Sequence, residues 1–416
     1  MHRRLGLLPA TLLLAVLLPA CEGSTGPGSG KTPEALRALP RALTTGERQT
    51  IASSNDFAFG LLRETASREA QPNVFLSPLS ASMALGMTMN GARGETLDGM
   101  RSALGFGPRP LEELDASYQT LLDLLRGVDP SVEIRIANSV WAKQGFPFEA
   151  SFQSTVARYF DAEVATVDFG APATLGTING WVKRGTNGRI ETILESIPSD
   201  AVMYLINAVY FKGSWRERFD PKATRDAPFT AADGSVRTVK MMHRVGGGRF
   251  FQAPGVRGVE LPYGRDAFVM DVVLPDAGAS LASLVARLDA ATWDGWLGQA
   301  HDAELDLSLP RFRAEQRFEL NRPLIALGMG LAFTPDAADF TGLSPAGRSL
   351  YISAVTQKTF VDVNEEGTEA AAATSVGISV TSAPQTVSFV VDRPFLVAIR
   401  ERLSGAILFL GAIGAP

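Results

Sequence analysis

One strand-like run restricts the folds open to this chain of 416 residues. The segment AVMYLINAVYF, from Ala201 to Phe211, is apolar at almost every position and contains neither glycine nor proline. A strand with one face in water alternates apolar and polar residues, whereas a strand covered on both faces does not. The segment is therefore predicted to be a strand of a sheet that is covered on both faces.

The order of the other segments favours an α+β fold. Helices are predicted over residues 46–66 and 77–91, the second with Ser77 as N-cap, Pro78 in the first turn and Gly91 at its end. Strand-like runs dominate after Val132 and continue to the C-terminus. Because helices come first and strands later, without strict βαβ alternation, a doubly wound fold is not expected. The glycine run 246–248 is predicted to be a turn.

The N-terminus predicts export. Residues 1–20 combine a basic start with an apolar stretch that is too short and too rich in proline for a membrane span, as in a signal peptide. Cys21, the only cysteine, follows in LLPAC, which resembles a bacterial lipobox and makes Cys21 the predicted lipidation site. Residues 21–45 are then a lipidated N-terminus and flexible linker. We expect a cell-envelope lipoprotein held by its lipid anchor alone; an ordinary signal peptide and a secreted protein are the alternative.

The composition and motifs argue against several functions. The net charge of -5 and the scattered lysines give no reason to expect a nucleic-acid partner. There is no nucleophile elbow, no P-loop and no histidine at metal-ligand spacing. The KGS run at 212–214 resembles one element of penicillin-binding proteins, but the S-x-x-K that this class also needs is absent. We therefore expect no enzyme, no catalytic residue, no metal and no cofactor.

The segment VDVNEEGTEAAAATSVGISV (Val361–Val380) has a composition at odds with its surroundings. Four alanines favour a helix, yet the flanking residues have a strand-like pattern. The run EEGTEAAAAT closely resembles the proximal hinge of the reactive-centre loop of the serpins, a family of serine protease inhibitors. The matching hinge positions are Glu365, Gly367, Thr368, Ala370, Ala371, Ala372 and Ala373.

Further blocks resemble the same family in the same order. They are NVFLSPLSASMAL (73–85), INGWVKRGTNGRI (178–190), LINAVYFKGSW (205–215) and FVVDRPFLVAIR (389–400). The resemblance implies one serpin domain over residues 46–416, with three β-sheets, eight or nine helices and an exposed reactive-centre loop, in a protein that we expect to be a monomer.

The resemblance also assigns roles around the main sheet. Ser77, Ser80, Asn207 and Gln357 match the shutter, the polar cluster beneath the point where the sheet opens. Trp215 matches the breach, where the loop first enters. Many serpins have histidine where this chain has Gln357; a neutral amide can still hydrogen-bond there, but it cannot titrate near neutral pH.

In serpins a protease attacks the loop, forms an acyl-enzyme and is trapped as the cut loop inserts into the main sheet. This loop suits insertion, because a strand that buries Thr368 also buries Ala370, Ala372, Thr374 and Val376, all small or β-branched and uncharged. The charged Glu369 then lies on the other face, so no unpaired charge is buried. Insertion of about 15 residues would move the attached protease by roughly 50 Å.

The reactive bond is predicted at Thr381-Ser382 by counting forward from Glu365. Counting back from Pro394 gives Ala383-Pro384, which proline after the bond disfavours. No Arg or Lys lies between Gly367 and Asp392. The expected target is therefore an elastase-like or subtilisin-like serine protease, with cysteine proteases a second target class. The alternative function is a non-inhibitory serpin that acts as a binding or scaffold protein.

Overall fold

The computed structural model describes residues 34–368 and 386–416. Several predicted sites lie outside the described residues: the signal peptide, Cys21, the alanines 370–373 and the bond Thr381-Ser382. The described ranges do include Gly367 and Thr368, at the start of the loop, and the strand that comes after the loop.

Nine α-helices occur in these ranges, and most of them lie in the first half of the chain. They are α1 (Thr45–Ala66), α2 (Pro78–Met89), α3 (Gly94–Ala103), α4 (Leu111–Gly127), α5 (Ala150–Phe160), α6 (Pro172–Gly185), α7 (Leu281–Arg287), α8 (Ala290–Leu297) and α9 (Asn321–Leu324). Helix α1 begins with a capping box, in which the side chains of Thr44 and Glu47 each accept a hydrogen bond from the other residue's backbone N–H.

Fifteen strands occur in the same ranges. They are β1 (Asn73–Leu76), β2 (Val132–Lys143), β3 (Glu163–Val167), β4 (Met203–Ser214), β5 (Arg225–Thr230), β6 (Val236–Ala253), β7 (Val256–Pro262), β8 (Phe268–Pro275), β9 (His301–Pro310), β10 (Phe312–Glu319), β11 (Ala354–Asn364), β12 (Gly367–Thr368), β13 (Val387–Val390), β14 (Phe395–Glu401) and β15 (Ile407–Ile413). The two-residue strand β12 is the start of the predicted loop.

The main sheet has the strand order β10-β11-β12-β4-β2-β3. Strand β4 contains most of the apolar run 201–211, and its side chains enter two separate apolar clusters. Leu205 and Val209 belong to the cluster that contains α2, whereas Ile206 and Ala208 belong to the cluster that contains α6. The prediction that this strand is covered on both faces is confirmed.

The other nine strands are connected in the order β1-β15-β14-β8-β7-β6-β9-β13, with β5 also paired to β6, and the long strand β6 divides them into two sheets. The first part of this long strand pairs with β5, and its last residues pair with β7. The glycine run 246–248 lies inside β6, so its prediction as a turn is wrong. A Cβ on Gly246 would come too close to the carboxylate of Glu217 and one on Gly248 too close to the Leu305 side chain, so these side chains would have to shift.

Helix α2 begins within the core, and all twelve of its residues are buried. Ser77 occupies its N-cap position, but the predicted capping role of the Ser77 side chain is wrong. Its hydroxyl donates to the carbonyl of Leu408 in β15 at 2.7 Å and makes no cap bond. The cause is the tertiary packing, which places a buried strand carbonyl within reach of this hydroxyl.

The end of the predicted linker lies against the domain. Leu36, Leu39 and Leu43 pack on the main core, and the backbone N–H of Leu36 donates to the carbonyl of Arg265 at 2.6 Å. Apolar residues at this spacing bury one side of the segment, so residues 34–44 contact the domain instead of forming part of the linker. No helix within residues 34–368 and 386–416 is long and apolar enough to cross a membrane.

Candidate functional site at the gap in the main sheet

Strands β4 and β11 separate at the top of the main sheet, and β12 lies between them. Lower in the sheet they pair directly and in parallel, from Ala354 opposite Tyr204 to Phe360 opposite Tyr210. Above this point Thr368 is antiparallel to both neighbours, opposite Val363 of β11 and Gly213 of β4. The first residues of the predicted loop therefore already occupy a central position in the sheet.

Gly367 fits this position because it has no side chain. Its φ angle of 147° lies in the region that favours glycine, and an added Cβ would overlap with the carbonyl oxygen of Gly213. Any other residue at this point would push β12 away from β4. The glycine thus allows the loop to enter the sheet next to β4.

Thr368 is fully buried on the inner side of the sheet. Its hydroxyl shares a hydrogen bond of 2.7 Å with the phenol of Tyr263, which is also fully buried. Burial strongly raises the pKa of Tyr263, so this phenol is neutral at any physiological pH. The ring of Tyr263 stacks on Trp215 with centroids 4.4 Å apart.

Trp215 and the residues after it hold the backbone of the hinge. The indole N–H of Trp215 donates to the carbonyl of Asn364 at 2.8 Å, and its backbone N–H donates to the carbonyl of Glu366 at 2.9 Å. Further along, the backbone N–H of Phe219 donates to the carbonyl of Glu365 at 3.1 Å. The predicted breach tryptophan and the predicted hinge are therefore in direct contact.

The side chains of the two hinge glutamates are paired with cations. Arg311 donates to one carboxylate oxygen of Glu365 from Nε at 2.8 Å and from Nη2 at 2.6 Å, and the Thr224 hydroxyl donates to the same oxygen. Burial alone raises the pKa of Glu365, but these hydrogen bonds outweigh it and hold the pKa below its usual value. Glu366 accepts from Arg218 at 2.7 Å. The contacts with Arg311 and Thr224 thus stabilise the ionised form of the Glu365 carboxylate.

The four predicted shutter residues form one buried cluster about half-way along the β4–β11 pair, below the point where the two strands separate. Gln357 donates from Nε2 to Asn207 Oδ1 at 2.6 Å and to the carbonyl of Ser77 at 2.9 Å, and it accepts from the N–H of Ser77 at 2.9 Å. Asn207 donates in turn to Ser80 and to Asn138. The Gln357–Asn207 bond joins β11 to β4, so the sheet cannot open here without breaking it.

Several residues of this site were missed in the sequence. Asn138 is a polar residue inside a strand of buried residues, which is a usable signal for a buried polar contact. Tyr263 and Arg311 gave no such signal, because their partners Thr368 and Glu365 are far away in sequence. Within residues 34–368 and 386–416, no three His, Cys, Asp or Glu side chains lie close enough together to hold a metal ion.

Comparison with known proteins identifies this arrangement. Residues 52–416 match the family model described as serpin (serine protease inhibitor). The chain belongs to the serpin family. Its predicted fold is confirmed: an α+β serpin fold with nine α-helices in the described residues and three sheets.

Several relatives share nearly the whole serpin domain with this chain. Leukocyte elastase inhibitor of Sus scrofa is 36% identical over 382 residues, which are 88% of this chain and 100% of the relative. The native structure of the thermophilic serpin tengpin is 32% identical, with a TM-score of 0.82, and the match covers 92% of this chain and 98% of tengpin. Human thyroxine-binding globulin in complex with its ligand is 27% identical, with the same TM-score of 0.82, over 89% of this chain and 100% of that structure.

Proposed function

We propose that this serpin is a suicide-substrate inhibitor of serine-type endopeptidases, which traps the acyl-enzyme by inserting its reactive-centre loop between β4 and β11. The observation that carries the proposal is the position of Gly367 and Thr368, which pair with both strands at the top of the gap. Insertion of the cut loop then extends a strand that already exists, and no new strand has to be nucleated.

The existing register specifies where each loop residue would come to lie. The inserted strand is antiparallel to both neighbours, so each step along the loop moves one residue down β4 and β11. Six residues after Thr368, Thr374 would face Gln357 and Asn207, which already lie opposite each other. Its hydroxyl would enter the shutter in place of the hydrogen bond that opening breaks.

In the same register Glu369, the one charged residue of this part of the loop, would lie where its charge stays in contact with water. Glu369 would lie on the outer face of the sheet, between Lys212 of β4 and Asp362 of β11. These residues line an open cleft of about 660 Å³ together with Arg189, Arg313 and Lys358. Glu369 would therefore lie in an open, water-filled cleft beside Lys212, and the inner face would receive only uncharged residues that are small or β-branched.

The inhibitor proposal is tested with a panel of purified serine proteases, including elastase-like, subtilisin-like and trypsin-like enzymes, and a papain-like cysteine protease. After incubation, denaturing electrophoresis should show a covalent band at the combined mass with an elastase-like or subtilisin-like enzyme. The loop offers no Arg or Lys for a trypsin-like enzyme. Cleavage of the loop without a covalent band across the whole panel would contradict inhibition.

The predicted reactive bond is tested on the same complex. Mass spectrometry of the C-terminal peptide released with the complex should find Ser382 or Thr381 as its first residue. A peptide that starts at Pro384 would support the backward count instead. Fast stoichiometric trapping of trypsin would overturn the proposed preference for a shallow, apolar specificity pocket.

The non-inhibitory alternative predicts a different response to cleavage. An inhibitor keeps the part of its loop after Thr368 outside the sheet until it is cut, so the cut protein should melt well above the intact one. About a dozen new ladder hydrogen bonds, at roughly 1 kcal/mol each, would provide this gain. Coincident melting curves of intact and cut protein would favour a binding or scaffold serpin, the role that thyroxine-binding globulin illustrates.

We also propose that the protein is exported by a bacterium and tethered through a lipid on Cys21. The support is the sequence of residues 1–33, namely the signal-like start, LLPAC and the Gly/Ser/Pro-rich stretch after it. Cys21→Ser should release the protein from the membrane fraction or block its processing. Equal soluble yields of wild type and variant would instead indicate a secreted protein.

A further inference from the structure

We infer that Tyr263 is a positioning residue for inhibition: its phenol fixes the register in which the reactive-centre loop enters the main sheet. The inference rests on the proposed insertion mechanism and adds a residue to it. Tyr263 lies in the turn after β7, outside the hinge and the shutter, and it contacts the loop through one hydrogen bond to Thr368.

The surroundings of Tyr263 hold its hydroxyl in place. Its ring lies flat on Trp215, with 12° between the ring planes, and packs edge-on against Phe211 at 5.1 Å. Its backbone forms a bridge with Trp215, and its N–H donates to the carbonyl of Phe268 at 2.8 Å. The ring cannot follow the loop, so the loop must bring a partner to the hydroxyl.

Only the observed register places a hydrogen-bond partner next to the Tyr263 hydroxyl. If the loop advanced by two residues, Ala370 would replace Thr368 and leave the buried phenol without a hydrogen bond, which is costly. If it withdrew by two, the charged Glu366 would be buried there. Either shift also replaces Gly367 by a residue whose Cβ overlaps with the Gly213 carbonyl oxygen. A shift by one residue would turn every inward side chain outward.

The register matters because insertion competes with release of the cut protease. A loop that starts in the wrong register must withdraw before Thr374 can reach the shutter. During this delay the acyl-enzyme can hydrolyse and release the protease. Loss of the Tyr263 hydroxyl should therefore leave cleavage of the loop intact and raise the share of cleaved inhibitor that carries no protease.

The test uses Tyr263→Phe, Thr368→Val and the double variant, each of which removes a hydroxyl and keeps the shape of the side chain. Tyr118→Phe is the matched control, because Tyr118 is also fully buried and its phenol bonds Ser82, away from the loop. Hydrogen exchange of the Thr368 amide in the intact protein and the ratio of cleaved inhibitor to covalent complex are measured for each.

We expect exchange of the Thr368 amide to be about fivefold faster in Tyr263→Phe and in Thr368→Val, with no further increase in the double variant. The share of cleaved, protease-free inhibitor should rise in the same three proteins and stay at the wild-type value in Tyr118→Phe. Unchanged exchange in Tyr263→Phe, or additive effects in the double variant, would overturn the positioning role. An absence of covalent complex with wild type would refute the proposed function instead, and the exchange data would still report on the Tyr263–Thr368 contact.

Discussion

The breach and the shutter hold the same two strands together by different means. At the breach, the start of the loop itself lies between β4 and β11. The glutamates just before it form ion pairs, Glu365 with Arg311 and Glu366 with Arg218. At the shutter, β4 and β11 pair directly, and a hydrogen bond between the uncharged side-chain amides of Gln357 and Asn207 also joins the two strands. Under the proposed mechanism, the breach would hold a loop that has begun to insert, and the shutter would resist further insertion until the loop is cut.

The largest effect should come from a charge placed at the breach on the inner face. Thr368→Arg would bury a guanidinium against Tyr263, at a cost of several kcal/mol for an unpaired ion. The variant should still be cut by the target protease, but its covalent complex should fall at least about tenfold on the same gel. Thr368→Ser keeps the hydroxyl and should trap nearly as well as wild type. Equal trapping by Thr368→Arg would argue against burial of residue 368 on the inner face during inhibition.

A smaller effect is expected at the shutter. Asn207→Ala removes the bonds to Gln357, Ser80 and Asn138 and leaves several buried polar groups with fewer partners, which should lower the free energy of unfolding of the intact protein by about 2–3 kcal/mol. Gln153→Ala removes an exposed amide from α5 and serves as the control, with a change within about 0.5 kcal/mol.

Loss of the shutter bond should also shorten the lifetime of the active inhibitor. Because the bond between Asn207 and Gln357 must break during insertion, Asn207→Ala should lose trapping activity during storage faster than wild type. Trapping activity is measured with the target protease at intervals over several days. A variant with normal stability and normal storage would contradict the view that the shutter keeps the sheet closed.

The smallest effect should appear at the hinge glutamate and should depend on pH. The Glu365 pKa lies below its ordinary value of 4.5, so the ion pair with Arg311 contributes fully above that pH and is lost as the pH falls through the lowered pKa. Glu365→Gln should lower the free energy of unfolding by about 1 kcal/mol at pH 7, and the difference should shrink as the pH falls below 4.5. Glu69→Gln, at an exposed position after α1, is the control substitution. A difference between wild type and Glu365→Gln that stays constant with pH would argue against the ion pair.

The contrast between the two regions was only partly predictable from the sequence. The hinge and the shutter residues were found because their segments closely resemble serpin motifs. Their partners were not, because contacts such as Tyr263–Thr368 and Arg311–Glu365 join segments that only the folded chain brings together.

The errors in the sequence-based predictions have the same origin. The glycine run 246–248 has the composition of a turn, yet it lies within β6, where it pairs with residues 303–305 of β9. Ser77 has the sequence position of a cap, yet its hydroxyl bonds a strand carbonyl. Local patterns predicted which elements occur, and tertiary packing decided what individual side chains do.

A disulfide cross-link tests the central claim most directly, because it reports both insertion and register. The chain has a single cysteine, so Cys21→Ser provides a background without thiols. In the existing register Ala372 would come opposite Val209 on the inner face, within reach of a disulfide between paired cysteines. Ala371→Cys with Val209→Cys is the matched control, since residue 371 would face the other side of the sheet.

Free thiols are counted by mass spectrometry before and after the loop is cut. We expect the variant with Ala372→Cys and Val209→Cys to have two free thiols in the intact protein and none after cleavage. The variant with Ala371→Cys and Val209→Cys should have two free thiols before and after cleavage. A disulfide in the Ala371→Cys pair instead, or no disulfide in either cut protein, would contradict insertion of the loop in the register set by Thr368.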